Sequence, residues 1–107
     1  MSTYRLKILL PERKVYDGVV QSITVPGAGG LLTVLAGHEA MVALLRQGTV
    51  TVRTLKETLE AETGPGLLEV SQNEAAIMVR AFTWSSEATQ EDAAAQNTSA
   101  QETEMLI

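Results

Sequence analysis

Between Tyr4 and Leu10 the apolar residues Tyr4, Leu6, Ile8 and Leu10 fall on one face of an extended chain, and Arg5 and Lys7 fall on the other. Period two with a mixed outer face predicts a half-buried strand, ended by Pro11-Glu12. Val15-Tyr16 is a short extended piece and Asp17-Gly18 a turn signal. Val19, Gln21, Ile23 and Val25 alternate with Val20, Ser22 and Thr24, which predicts one β-branched strand stopping at Pro26-Gly27. Leu31 to Leu35 is a further strand, closed by Ala36-Gly37. Residues 40–45 are apolar throughout; such a run fits a buried strand or a helical turn, and the β-patterning on both sides favours strand.

Thr49 to Arg53 alternates cleanly, and Leu55, Leu59 and Ala61 predict a return strand after a turn near Lys56-Glu57. Gly64-Pro65-Gly66 breaks the chain. Leu67 to Val70 and Ala75 to Phe82 complete the series, with Gln72-Asn73 as the turn between them. Eight to ten short strands at roughly ten-residue spacing predict an all-β, two-sheet sandwich or barrel.

The pattern stops after Trp84, so the expected division is a β-domain over residues 1–84 and a tail over 85–107. Ser85-Ser86-Glu87 fits a helix cap and Ala93-Ala94-Ala95 favours helix, but Asn97-Thr98-Ser99 interrupts it. Large apolar residues return only at Met105-Leu106-Ile107. A segment without an apolar stripe gains little by packing, so a frayed helix or disorder is expected.

Charge separates the same two parts. Residues 1–84 carry eight basic and eight acidic side chains, whereas the tail adds Glu87, Glu91, Asp92, Glu102 and Glu104 with no Lys or Arg, so the net charge of −5 belongs to the tail. Phosphate-binding surfaces need clustered Lys and Arg, so no nucleic-acid partner is expected. No window approaches ~18 uninterrupted apolar residues, so no membrane insertion is expected. The N-terminus lacks the apolar core of a signal peptide, and cysteine is absent, which together favour a cytoplasmic setting.

Candidate chemistry is sparse. His38-Glu39 lacks the second histidine of a zinc-protease pattern, since position 42 is Val42. With one histidine and no cysteine, a zinc site would be mostly carboxylate, so no metal is expected. Gly27-Ala28-Gly29-Gly30 lacks the Gly-Lys-Ser/Thr ending of a phosphate cradle and is read as structural turns. Trp84 is either a lid on the sandwich edge or an interface anchor.

The order of these features resembles one family. Tyr4-x-Leu6 leads to Leu10-Pro11-Glu12, then Gly18 and Val20-x-x-Ile23-x-Val25-Pro26-Gly27. Gly30-Leu31-Leu32 and the Gly37-His38 turn follow, then Gly48, and Gly66-Leu67-Leu68-Glu69-Val70 with Asn73. Over residues 4–84 this is similar to the N-terminal domain of the epsilon subunit of the rotary F-type ATP synthase. The resemblance implies a β-sandwich without an active site or cofactor. It implies a rotor part at the foot of the central stalk, at the cytoplasmic face of the bacterial inner membrane, which couples the gamma subunit to the membrane c-ring during ion-driven ATP synthesis.

By the same resemblance, Gly29, Gly30, Leu31, Leu32, Gly37, His38 and Glu39 match the region facing the c-ring, and Leu10, His38 and Ala43 match positions facing gamma. No homo-oligomer is expected. Two departures stand out. The family loop usually reads Gly-Glu-Leu-Gly where this chain has Gly30-Leu31-Leu32-Thr33, so a ring contact here is expected to be apolar and shape-based. ATP-binding members use Asp-x-x-Arg-Ala in a C-terminal helical hairpin; the nearest match, Asp92-Ala93-Ala94-Ala95, has no arginine, so no nucleotide site is expected and the chain resembles a short form. Two other classes remain as alternatives. A small-molecule-binding β-sandwich carrier needs a concave pocket lined by aromatics. An enzyme using Glu39 or Glu69 with His38 needs those groups to converge.

Overall fold

Alternating β-branched and aliphatic residues give ten strands in the computed structural model, which describes residues 2–86. In chain order they are β1 (Tyr4–Leu9), β2 (Lys14–Val20), β3 (Ser22–Gly27), β4 (Gly30–Leu35), β5 (Met41–Leu45), β6 (Gly48–Arg53), β7 (Thr58–Thr63), β8 (Gly66–Ser71), β9 (Glu74–Val79) and β10 (Phe82–Ser86). A first sheet runs β4-β3-β6-β7-β10 and a second β5-β8-β9-β1-β2, joined at the single pairing of Gly27 with Leu45. Only β1 and β9 run parallel.

The inward phase of each strand makes the core. Leu6, Ile8, Leu68 and Ile77 of the second sheet meet Ile23, Val25, Val34, Val50 and Val52 of the first, and all are fully buried. With so few rings available, small aliphatics fill the interior. The rings serve the seam instead: Trp84 lies edge-on to Phe82 at 4.8 Å and to Tyr16 at 5.9 Å. Tyr16 is on β2 and the other two on β10, so this cluster closes the two outermost strands over each other. Trp84 thus lies over the seam between the two sheets, half-buried. Tyr4, the fourth ring, is buried and donates its hydroxyl to the Val34 carbonyl at 2.7 Å, pinning β1 to β4 across the core; burial pushes that hydroxyl's pKa far up.

Several boundaries differ from the sequence expectation. Asp17-Gly18 is not a turn but the middle of β2, paired with Lys7 and Leu6. Asp17 instead takes Arg5 at 2.7 and 3.0 Å and Lys14 at 2.7 Å, and these hydrogen bonds hold its carboxyl far below the usual carboxylate range. Gly18 makes room for Tyr16, whose hydroxyl would lie 2.9 Å from a Cβ there. The stretch from Val19 to Val25 breaks at Gln21, where the chain leaves the second sheet for the first. Val20 points inward on one side of the break and Ile23 and Val25 on the other, a change of phase that continuous β-branched residues conceal. The stretch from Ala75 to Phe82 divides at Arg80-Ala81 for the same reason, β9 and β10 lying in different sheets. Leu55 belongs to the turn and is exposed. The last strand continues to Ser86; the predicted tail lies otherwise outside the described residues.

Candidate functional site

Two glycines and an arginine shape the tip of the β3–β4 hairpin. Gly27 pairs with Gly30 across the Ala28-Gly29 turn, and Gly30 holds φ at +136°, a value glycine accepts without a Cβ clash. Arg46 donates its backbone N–H to the Pro26 carbonyl at 2.9 Å and its Nε to the Gly27 carbonyl at 3.1 Å, fixing the tip against the end of β5. A shallow depression of about 320 Å³ lies there, lined by residues 27–32 with Ala43 and Leu44, none of them charged. Leu31 is 75% exposed and Leu44 66%.

The residues expected to face the ring are therefore divided. Gly29, Gly30, Leu31 and Leu32 gather at this tip, whereas Gly37, His38 and Glu39 follow the far end of β4, roughly 17 Å away at ~3.3 Å per residue. There Gly37 turns with φ +84° and the His38 amide donates to the Leu35 carbonyl at 3.2 Å. His38 Nδ1 donates to the Glu39 carbonyl at 2.9 Å. A small recess beside it is lined by Tyr4, Ser71, Asn73 and Glu74, and not by Glu69, which stands on β8 opposite Val42. Among the described residues no three His, Asp or Glu side chains gather to hold a metal ion.

The residues expected to face gamma are scattered too. Ala43 borders the tip and packs against the core, His38 is at the opposite end, and Leu10 lines a second depression of about 420 Å³. That depression also takes in Leu9, Pro11, Pro65, Leu67, Met78 and Arg80, and no aromatic side chain lines it.

It opens onto a surface that the strand-by-strand reading did not single out. On the outward face of the second sheet, Leu44 of β5 pairs with Leu67 of β8, Leu67 with Met78 of β9, and Met78 with Leu9 of β1. Their neighbours Leu45, Leu68, Ile77 and Ile8 take the inward phase. The sequence signal was present in the pairs Ile8-Leu9, Leu44-Leu45, Leu67-Leu68 and Ile77-Met78. Apolar residues in both phases of a strand mark a sheet covered on both faces.

The fold and this surface define the class: a two-sheet β-sandwich domain with surplus apolar side chains turned outward. The chain belongs to the ATP synthase delta/epsilon chain β-sandwich domain family, whose model matches residues 3–85. It is 33% identical over 88 residues to the ATP synthase epsilon chain of Prochlorococcus marinus, covering 82% of this chain and 65% of that one. It is 39% identical over 80 residues to the epsilon chain of Protochlamydia amoebophila, covering 74% and 54%. It thus spans between 54% and 65% of the length of these relatives. In fold it is similar to a chain of the Euglena gracilis mitochondrial ATP synthase, with TM-score 0.74 and 21% identity over 78% of this chain and 54% of the other. It also resembles a chain in the central stalk and c-ring structure of the Tetrahymena thermophila enzyme, with TM-score 0.65 and 17% identity over 90% and 79%.

Proposed function

We propose that this chain is a non-catalytic subunit of the central stalk of an F-type ATP synthase, tying the gamma subunit to the c-ring so that ion-driven rotation reaches the catalytic head. It sits peripherally at the cytoplasmic face of a bacterial inner membrane; none of the described residues forms a helix long and apolar enough to cross one. The observation that carries the reading is the β3–β4 hairpin tip. Arg46 braces this single glycine turn from behind, and the tip presents Leu31 and Leu44 to solvent around a depression whose lining residues carry no charge.

Exposed leucines on a braced turn suit contact with another protein better than catalysis. The ring contact is assigned to Gly29, Gly30, Leu31 and Leu32, while the Gly37-His38-Glu39 turn, at the other end of β4, is left to gamma together with Leu10 and Ala43. The test is co-purification from native membranes in mild detergent. Wild type is expected to bring down gamma and c-subunit together. Leu31→Asp is expected to keep gamma and lose the ring, with an unchanged melting temperature because the side chain is exposed. Recovery of wild-type chain alone would overturn the assignment.

A further inference from the structure

Among the described strands, β4 pairs with β3 and with no other, so one side of its backbone is open. The hydrogen bonds around Gly27 show which groups stand on that side. The Pro26 carbonyl accepts from the Arg46 amide and the Ala28 amide donates to the Leu44 carbonyl, both at 2.9 Å. Those groups point toward β5, so Gly27 between them points toward β4. Alternation from the Gly27–Gly30 pair then turns the backbone of Leu32 and Val34 toward β3 and leaves that of Leu31, Thr33 and Leu35 at the free edge. The side chains of the same three residues are exposed, Leu31 and Leu35 by more than half.

Open edges are normally blunted by charge, proline or a bulge, because they template pairing with another chain. The opposite side of the sandwich is guarded in that way. β2 carries Lys14 and Asp17 and shifts register against β1, while β10 shifts register against β7 and is closed over β2 by Trp84 and Tyr16. β4 has none of these devices. From Gly18 to Leu45 the only Asp, Glu, Lys or Arg is Glu39. β5, the edge strand of the second sheet, adjoins β4 at the hairpin tip and adds exposed Val42 and Leu44.

We infer that a second copy of this chain pairs along this edge, β4 against β4, antiparallel about a two-fold axis at Thr33. This departs from the expectation, taken from the resemblance, that the chain does not self-associate. The strand is complementary to itself in three respects. With the axis at Thr33, Thr33 lies opposite Thr33, and Leu31 opposite Leu35 of the second copy, so outward residues meet outward residues and Leu32 meets Val34 on the inner side. A slip of one residue would set outward against inward positions and turn one sandwich over. The backbone groups facing the edge belong to the residues this register pairs. Thr33 exchanges two hydrogen bonds with its counterpart, and each Leu35 N–H reaches the Leu31 carbonyl of the second copy; the Leu35 carbonyl itself already accepts from His38 at 3.2 Å. Finally, an edge without charge meets its own copy without repulsion, and the two-fold axis closes the pair instead of propagating it.

One six-residue strand with its flanking leucines and valine makes a small interface, so the dimer is weak and exchanges with monomer. Leu31 also belongs to the hairpin tip. Resting on the proposed function for this step, the dimer and the ring contact exclude each other, and the dimer is the form of the chain outside the rotor.

The test uses sedimentation equilibrium of the full chain over a concentration series, together with three variants. Thr33→Cys supplies the only thiol in the protein, at a position where the two Cα atoms would stand about 5.5 Å apart, within the roughly 4.4–6.8 Å that a disulfide spans. Thr51→Cys is the control, on the same face but on interior strand β6. Leu35→Lys places a charge on the edge without touching the tip. Wild type is expected to show a reversible monomer–dimer equilibrium. On oxidation Thr33→Cys should form a disulfide dimer and Thr51→Cys should not. Leu35→Lys should self-associate at least tenfold more weakly, with unchanged melting temperature and with gamma and c-subunit still recovered from membranes. Amide exchange at Leu31, Thr33 and Leu35 should slow as the chain is concentrated.

A monomer at every concentration overturns the inference, as does equal crosslinking of the two cysteine variants or a dimer that Leu35→Lys leaves intact. Amides at the edge that are protected by added gamma subunit and not by chain concentration assign the edge to gamma, and also overturn it. Failure of wild type to recover gamma and c-subunit, with the dimer and its Thr33→Cys disulfide present, removes the stalk reading and keeps the self-pairing edge.

Discussion

Gly66→Ala tests the packing of the second sheet with a single methyl group. Gly66 opens β8 between Leu45 of β5 and Val79 of β9. A Cβ there would lie 2.7 Å from Val79 Cγ1 and closer still to the Met78 carbonyl oxygen. A flexible side-chain tip could swing aside, but a backbone carbonyl within a ladder cannot. β9 would have to retreat by about 1 Å or more to restore an ordinary contact. It is also paired to β1 through Ile77 and Ala75, both fully buried, so the displacement reaches the core.

Overpacking of this kind costs about 3 kcal/mol, at the upper end of the usual range because the obstacle is main chain. For a domain of this size that lowers the melting temperature by roughly 12–24 °C. The control is Gly29→Ala, the same chemical change at a turn where nothing lies within 4 Å of the new methyl and φ is outside the left-handed region. It is expected to be neutral, or to stabilise by about 0.5 kcal/mol through the unfolded state. Thermal and urea unfolding followed by circular dichroism measure both. The urea midpoint of Gly66→Ala should fall with little change in slope. Equal melting of the two variants would refute the reasoning.

Other substitutions probe different parts of the structure. Ile77→Ala, at a fully buried position, should cost about 2–5 kcal/mol, whereas Met78→Ala, one residue on and facing outward, should cost roughly 1 kcal/mol or less; urea titration checks the alternation. Tyr4→Phe removes the donor to the Val34 carbonyl and should cost about 1–2 kcal/mol at neutral pH, read from the same unfolding curves. Asp17 has a folded-state pKa lowered mainly by its hydrogen bonds to Arg5 and Lys14, so its contribution is complete above the ordinary value of 3.8 and is lost as pH falls toward the folded value. Melting temperature should therefore decline below pH ~4, and Asp17→Asn should flatten that decline.

Much of the fold was legible because sandwich strands carry their instructions locally. The alternation in Tyr4–Leu9 and Gly48–Arg53, the Gly64-Pro65-Gly66 breaker and the Gln72-Asn73 turn all stand where the residue pattern puts them; Asn73 even holds a positive φ of 64°. The changes of sheet at Gln21 and at Arg80-Ala81 were not legible. A shift of side-chain phase inside a uniformly β-branched or apolar run leaves no polar residue to mark it. The candidate site was legible in part. Glycine spacing located the hairpin tip, but period-two reading assigns one face per strand, and the outward row appears only when four strands are set side by side in register. No single strand shows that Leu44, Leu67, Met78 and Leu9 are neighbours.

The same registers show why the two outer faces are not equivalent. Across the first sheet, Thr33 pairs with Thr24, Thr24 with Thr51 and Thr51 with Glu60, and the hydroxyls of Thr24 and Thr33 meet at 2.9 Å. Threonine suits this place because its β-branch favours the strand while its hydroxyl keeps the surface wettable. Across the second sheet the corresponding positions are leucine and methionine. Solvent would favour a polar row on both faces, since an outward leucine adds nothing to the interior it turns away from. The two outer faces therefore differ at mid-sheet, threonine on one and leucine and methionine on the other, although Leu31 and Leu35 flank Thr33 at the edge strand β4. The hairpin tip lies at the end of the sandwich where Gly27 meets Leu45, one residue from the start of the leucine row. Under the proposed function, a body that touches one partner with its end and another with its adjoining face fixes the angle between them, which is the mechanical property required of a part that transmits torque from a ring to a shaft.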